Sequence, residues 1–108
     1  MDDDLPGVSD AFQAFLNEAP AHAGAWMEAV QRLDAASALD DKTEALAYLA
    51  VLAATRLTSG LPFHARQARS LGASRDEVIS AVLVGLPAVG NAVTQALPGA
   101  LAAFDTPQ

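Results

Sequence analysis

The sequence predicts an all-α fold, a single-domain bundle of about six helices, on three observations. Apolar residues make up 52% of the 108 positions, and many are alanine, the strongest helix former. No stretch alternates apolar and polar residues as a half-buried strand would. Helix start and stop signals recur along the whole chain, with no linker or repeat between them.

Residues 1–8, Asp-rich and followed by Pro6 and Gly7, read as a flexible acidic tail, leaving 9–108 as the domain. Asp10 with Gln13 resembles a capping box and opens a short helix to about Glu18, with Phe12, Phe15 and Leu16 as its apolar stripe. Pro20 begins a second helix that carries Trp26, Met27, Val30 and Leu33 at helical spacing and ends within 35–39. Asp41 as N-cap and Glu44 three residues on open a third. Residues 45–57 are nearly all apolar, so this helix is expected at the centre, covered on all sides. After a tight turn, Pro62 suits the first turn of a short helix and Gly72 its C′ position. Ser74 and Glu77 form a second capping box, leading into Val78, Val82, Leu83 and Leu86. Pro87 kinks or ends that helix, and 88–103 form a last one interrupted at Pro98 and Gly99.

The totals exclude several functions. A net charge of −7 argues against nucleic acid and anionic membrane surfaces, which both need Lys and Arg. With no cysteine, disulfides and thiolate chemistry are ruled out. Residues 81–104 carry no charge, yet their prolines and polar groups fit a buried helix pair better than a membrane span. The acidic N-terminus is unlike a signal peptide and points to the cytoplasm. Alanine buries little area, so the core is thin; such cores often gain burial between subunits, which composition alone does not establish.

His64 is the foremost candidate for chemistry. It shares a helix face with Leu61, Ala68 and Leu71, and it lies near unpaired N–H groups that favour a neutral imidazole and attract anions. It reads either as a core histidine bonded to a carbonyl or as a general acid/base in a dry pocket. Glu44 reads first as a capping residue. In a hairpin turning near Gly60, at 1.5 Å per residue, His64 lies about 6 Å from the turn and Glu44 about 24 Å, so straight helices would not pair them. Ser59, Gly60 and Phe63 flank the imidazole as candidate substrate contacts, though a serine at a helix start also suits a cap. Arg56, Arg66, Arg69 and Arg75 cluster near the turn, but Arg66 and Arg69 lie about 200° and 140° round the helix from His64 and read as solvated surface. The isolated His22 and scattered carboxylates make no metal cluster, and 85–90 lack the strand and lysine of a phosphate loop, so no metal and no cofactor is expected.

Asp41-Lys-Thr-Glu44, the alanine-rich helix, Leu61-Pro-Phe-His64-x-x-x-Ala68-x-x-x-Gly72-Ala-Ser-x-x-Glu77 and an apolar helix with Gly90 together resemble the carboxymuconolactone decarboxylase and alkylhydroperoxidase D-like family over about residues 10–104. The resemblance implies an all-α obligate homo-oligomer, commonly a trimer or hexamer. Peroxidase-like members carry a Cys-x-x-Cys pair at positions held here by Leu57 and Gly60, so thiol peroxidase activity is not expected. Decarboxylase-like members lack the pair and act on lactone-ring acids, with the histidine serving proton transfer. Glu44 matches the family's upstream glutamate once one residue is added before His64. The expectation is thus a cofactor-free lyase or isomerase for a small lactone or keto acid, with His64 moving the proton and Glu44 as its companion. The alternative is a non-catalytic ligand-binding or assembly module that keeps the fold.

Overall fold

The computed structural model describes residues 8–107. The acidic tail expected over 1–8 therefore lies, apart from Val8, outside the described residues. Six helices of nine residues or more run in order: α1 (Asp10–Glu18), α2 (Pro20–Ala36), α3 (Asp41–Ala54), α4 (Leu61–Ser70), α5 (Arg75–Leu83) and, after the single turn α6 (Leu86–Val89), α7 (Leu97–Asp105). No strand occurs among the described residues, and none of these helices is long and apolar enough to cross a membrane.

Proline marks the starts. Pro20, Pro62, Pro87 and Pro98 each sit in the first turn of a helix, where a missing N–H costs no hydrogen bond. Pro98 therefore begins α7 and does not interrupt it. The break before α7 comes at Gly90, whose φ of +86° favours glycine, followed by a 3₁₀ stretch at Asn91–Ala96. The capping box at Ser74 and Glu77 forms as expected, with both reciprocal bonds present. Two other starts shift by one residue. The side chain of Ser9 caps α1 by accepting from the Phe12 N–H, and Asp40 caps α3 by accepting from the Thr43 N–H at 2.7 Å. In each case the cap lies next to a residue of similar capping strength, Asp10 or Asp41, and spacing alone does not separate them. Glu44 is consequently released from the capping role that Asp41 would have given it.

The core is built by α3, α4, α5, α7 and the 91–96 segment around Leu49, Leu61, Val78, Val82 and Val93. Nine of the fifteen buried apolar residues among those described are alanine, which lets helix backbones approach closely but removes little area from water per residue. α3 is not covered on all sides as its composition suggests. Leu49 and Leu52 are buried, whereas Val51 is 58% exposed and Tyr48 also faces out, because α4, α5 and the 91–96 segment occupy only part of its circumference.

Both α3 and α4 end in the same motif. After α4, the Ala73 N–H reaches the Ala68 carbonyl and the Gly72 N–H reaches that of Arg69, with Gly72 at φ +99°. After α3, the Leu57 N–H reaches the Leu52 carbonyl and the Arg56 N–H that of Ala53. Here the left-handed position is filled by Arg56, at φ +63°. The chain therefore reverses at residue 56 and not near Gly60.

That reversal sets how α4 lies along α3. A methyl group at Gly60 would touch Leu52 Cδ1 at 3.5 Å, and the His64 ring stacks on Tyr48. Both pairs are centred on Arg56. Glu44 is one helical turn, about 6 Å, beyond Tyr48.

The three arginines of α4 and α5 face away from His64, yet they are not simply solvated. Arg69 donates to the carbonyls of Phe104 and Thr106 and lies over the Phe104 ring, 5.2 Å from its centroid. Arg66 donates to the Pro107 carbonyl, and Arg75 makes a two-point contact with Asp105 at 3.0 and 3.1 Å. Together they place positive charge at the negative end of α7.

Candidate functional site

A cavity of about 510 Å³ lies between α2, α3 and α4. From α2 come Trp26, Val30, Leu33 and Asp34; from α3, Asp41, Glu44, Ala45 and Tyr48; from α4, His64, Gln67 and Leu71. His64 and Glu44 thus line one cavity. The hairpin arithmetic that separated them assumed a tip near Gly60. Moving the tip four residues back, to Arg56, slides α4 along α3 and brings His64 to Tyr48, one turn from Glu44.

His64 sits at the fourth position of α4, one turn after the helix begins at Leu61. Three contacts hold its ring. Tyr48 stacks on it with centroids 4.3 Å apart and planes at 26°. Phe63 meets it edge-on at 5.1 Å. Its Nδ1 lies 3.3 Å from Gln67 Oε1, a contact that is a hydrogen bond in the tautomer with the proton on Nδ1. Burial pushes its pKa below the ordinary 6.5, and the Gln67 contact offsets only part of that. A neutral amide in the place where an acid/base histidine often has a carboxylate gives little support to an imidazolium. The ring at neutral pH is therefore an uncharged base.

Glu44 titrates the other way. A hydrogen bond with Asp34 raises its pKa above the ordinary 4.5; burial, the Asp34 charge and the Asp41 charge add to this, while Ser37 opposes it. The two titratable groups that line the cavity are thus moved toward each other on the pH scale.

The other expected contacts fall elsewhere. Ser59 and Gly60 belong to the 3₁₀ turn Thr58–Gly60 and do not line the cavity. Gly60 is taken up by its contact with Leu52. Phe63 braces the imidazole from outside the cavity wall and does not face its interior. The N–H groups at the start of α4 that were expected to attract anions are partly taken up, since the Leu61 N–H bonds to the Thr58 carbonyl and Pro62 has no donor. His22 is exposed on α2, and no group of three or more His, Asp or Glu side chains among the described residues could hold a metal ion.

Tyr48, Gln67, Asp34 and Trp26 are the site residues that spacing did not single out. Gln67 carried a usable signal, being a polar residue three positions after His64 and hence near its face. Tyr48 carried a weaker one, as the single aromatic in an alanine-leucine helix. Asp34 and Trp26 line the cavity only because α2 lies across it from α3 and α4.

Comparison with known proteins agrees with this architecture. No curated protein and no solved structure matches the chain. The model of the carboxymuconolactone decarboxylase family matches residues 20–103, from the first residue of α2 to the last turn of α7. That span includes every residue that lines the cavity, and the chain belongs to the carboxymuconolactone decarboxylase family.

Proposed function

We propose that this carboxymuconolactone decarboxylase-like protein catalyses a cofactor-free proton transfer, as an isomerase or lyase, in the cavity between α2, α3 and α4. His64 Nε2 takes a proton from a carbon next to a carbonyl. The imidazolium so formed returns that proton to another carbon of the resulting enolate, or the Glu44 carboxyl gives its own proton and is reprotonated by the imidazolium, so the enzyme ends in its starting state. In the lyase variant a carboxylate leaves as CO2, the electrons of its C–C bond stay on the neighbouring carbon as an enolate, and the Glu44 carboxyl protonates that carbon and is reprotonated from water.

The observation that supports this reading is that His64 and Glu44 line one cavity, with Gln67 Oε1 3.3 Å from the imidazole Nδ1. A histidine wedged in a filled core would have favoured the non-catalytic module. The test is turnover of a panel of lactones, keto esters and keto acids. His64→Gln should abolish it without loss of helicity, and Glu44→Gln should lower it by about 10²-fold, as for a general acid/base group. A substrate processed equally well by the His64→Gln protein would overturn the proposal.

We further propose that the protein self-associates. Leu33, Val51 and Val84 are 71%, 58% and 66% exposed, and Trp26 and Val89 also face outward. Such surface on a small domain is more than a monomer usually leaves open. Light scattering coupled to gel filtration reads the stoichiometry; a strict monomer at micromolar concentration would remove this part.

A further inference from the structure

A neutral imidazole can carry its proton on either nitrogen, and the neighbours of His64 differ at its two edges. Tyr48 stacks on the ring with centroids 4.3 Å apart, and Phe63 meets it edge-on. These contacts hold the plane of the ring. They do not choose between the ring and the same ring turned over, whose outline is nearly identical. The edges make that choice. The Cδ2 edge faces the turn before α4, where a methyl group on Gly60 would lie 3.8 Å from Cδ2. The Gly60 N–H is already given to the Leu57 carbonyl, so a nitrogen placed there would find no donor in it. The Nδ1 edge faces Gln67, one helical turn on, with Nδ1 3.3 Å from Oε1. Turning the ring over would set a carbon against that oxygen and forfeit the hydrogen bond. No other described side chain bonds to the ring, so Nε2 has no partner among the described residues.

We propose that Gln67 is a positioning residue: its side-chain oxygen keeps the proton of the neutral His64 ring on Nδ1 and makes Nε2 the basic nitrogen of the cavity. The choice of an amide matters as much as the contact. A carboxylate at position 67 would hold the same tautomer, but it would also stabilise the charged ring and remove the free base at neutral pH. An amide directs the proton without adding charge. Burial of the ring acts in the same sense by lowering its pKa. The other titratable groups on the cavity wall are Tyr48, Glu44 and Asp41 on α3 and Asp34 on α2. Arg66 and Arg69, on α4 itself, are turned toward the end of α7. As a statement about catalysis the inference rests on proton transfer by His64; as a statement about the ring it stands without it.

The test is a long-range proton–nitrogen correlation spectrum at about pH 8, where a histidine of ordinary pKa is neutral. His22, the only other histidine and exposed on α2, is the internal reference. In the parent, His64 Nδ1 should resonate as a protonated, pyrrole-like nitrogen and Nε2 as a bare, pyridine-like one. Gln67 is exposed, so its variants should fold, and circular dichroism checks their helicity. Gln67→Leu should lose the preference and spread the proton over both nitrogens. Gln67→Glu should keep the proton on Nδ1 and raise the His64 midpoint by about one pH unit or more, with His22 unmoved. For a compound of the lactone and keto-acid panel, kcat/KM should fall about tenfold or more in Gln67→Leu. Its low-pH limb should move up in Gln67→Glu by the interval read from the His64 midpoint. A proton on Nε2 in the parent, a parent-like tautomer or unchanged kcat/KM in Gln67→Leu, or an unmoved midpoint in Gln67→Glu would each overturn the inference. The two readings fail separately. Expected spectra with no turnover of any panel compound would defeat proton transfer and leave the ring assignment. Turnover that still requires His64, with the parent's proton on Nε2, would defeat the assignment alone.

Discussion

The α3–α7 body and the α1–α2 arm are built from similar residues and end up in opposite states. In the body, Leu49, Leu61, Val78 and Val82 are sealed from water. In the arm only Ala23 is buried, while Trp26, Met27, Val30 and Leu33 keep much of their surface. α2 is the longest helix, at 17 residues, yet its main helical neighbour is α1. An apolar stripe thus does not determine what covers it. The body satisfies its stripes internally, and the arm presents its own to the cavity and to the outside.

The largest test of this contrast compares one leucine from each region. Leu49→Ala should cost about 2–5 kcal/mol of folding stability by leaving a void between packed helices. Leu33→Ala should cost under about 0.5 kcal/mol in the isolated chain. If the exposed stripe mediates self-association, that same change should instead weaken the oligomer in sedimentation. Equal losses in urea melts of the two variants would mean that arm and body are a single cooperative core.

A middle-sized effect is expected where the two regions meet, at His64. Burial lowers its pKa in the folded protein, so the unfolded chain holds that proton more readily. Its contribution is complete above the ordinary pKa of 6.5 and is lost as the pH falls from there through the lower folded value. Glu44, raised from 4.5, acts in the opposite sense: its contribution is present below that value and lost as the pH rises through the folded one. Thermal melts between about pH 8 and 5 should therefore show a slope in the parent that is reduced in His64→Gln. An identical slope in both proteins would show that the ring is not held neutral by its surroundings.

The smallest effect belongs to the turn of the body. Arg56 occupies a left-handed conformation that costs a side-chain-bearing residue about 1 kcal/mol. Arg56→Gly should raise stability by about 0.5–1 kcal/mol after glycine's greater freedom in the unfolded chain is counted. Hydrogen exchange should slow across α3 and α4 and stay unchanged in α1 and α2. Destabilisation would mean that the Arg56 side chain makes a contribution larger than its backbone strain.

Most of the architecture was legible in the sequence because proline, glycine and capping residues act locally. Pro20, Pro62, Gly72 and the Ser74–Glu77 pair do what their backbone chemistry requires. His64 was legible for the same reason, since its face follows from its distance to Leu61 and Ala68. That His64 and Glu44 line one cavity was hidden by one residue. A glycine at position 56 would have announced the end of α3, but Arg56 takes the glycine conformation without the glycine signature. Asp40 and Asp41 concealed a second point, because the shift of the cap by one position changes Glu44 from a capping group into a cavity group. The contributions of Trp26 and Asp34 depend on where α2 comes to rest, which no local rule reaches.

The reversal at residue 56 has one more outcome. The imidazole meets its aromatic neighbour because the connecting segment has a particular length, whatever side chains decorate it. Exchanges at the exposed Thr58 and Ser59 should therefore drift freely over evolutionary time. Gain or loss of a single residue between α3 and α4 would swing the ring to another face and unmake the centre in one step.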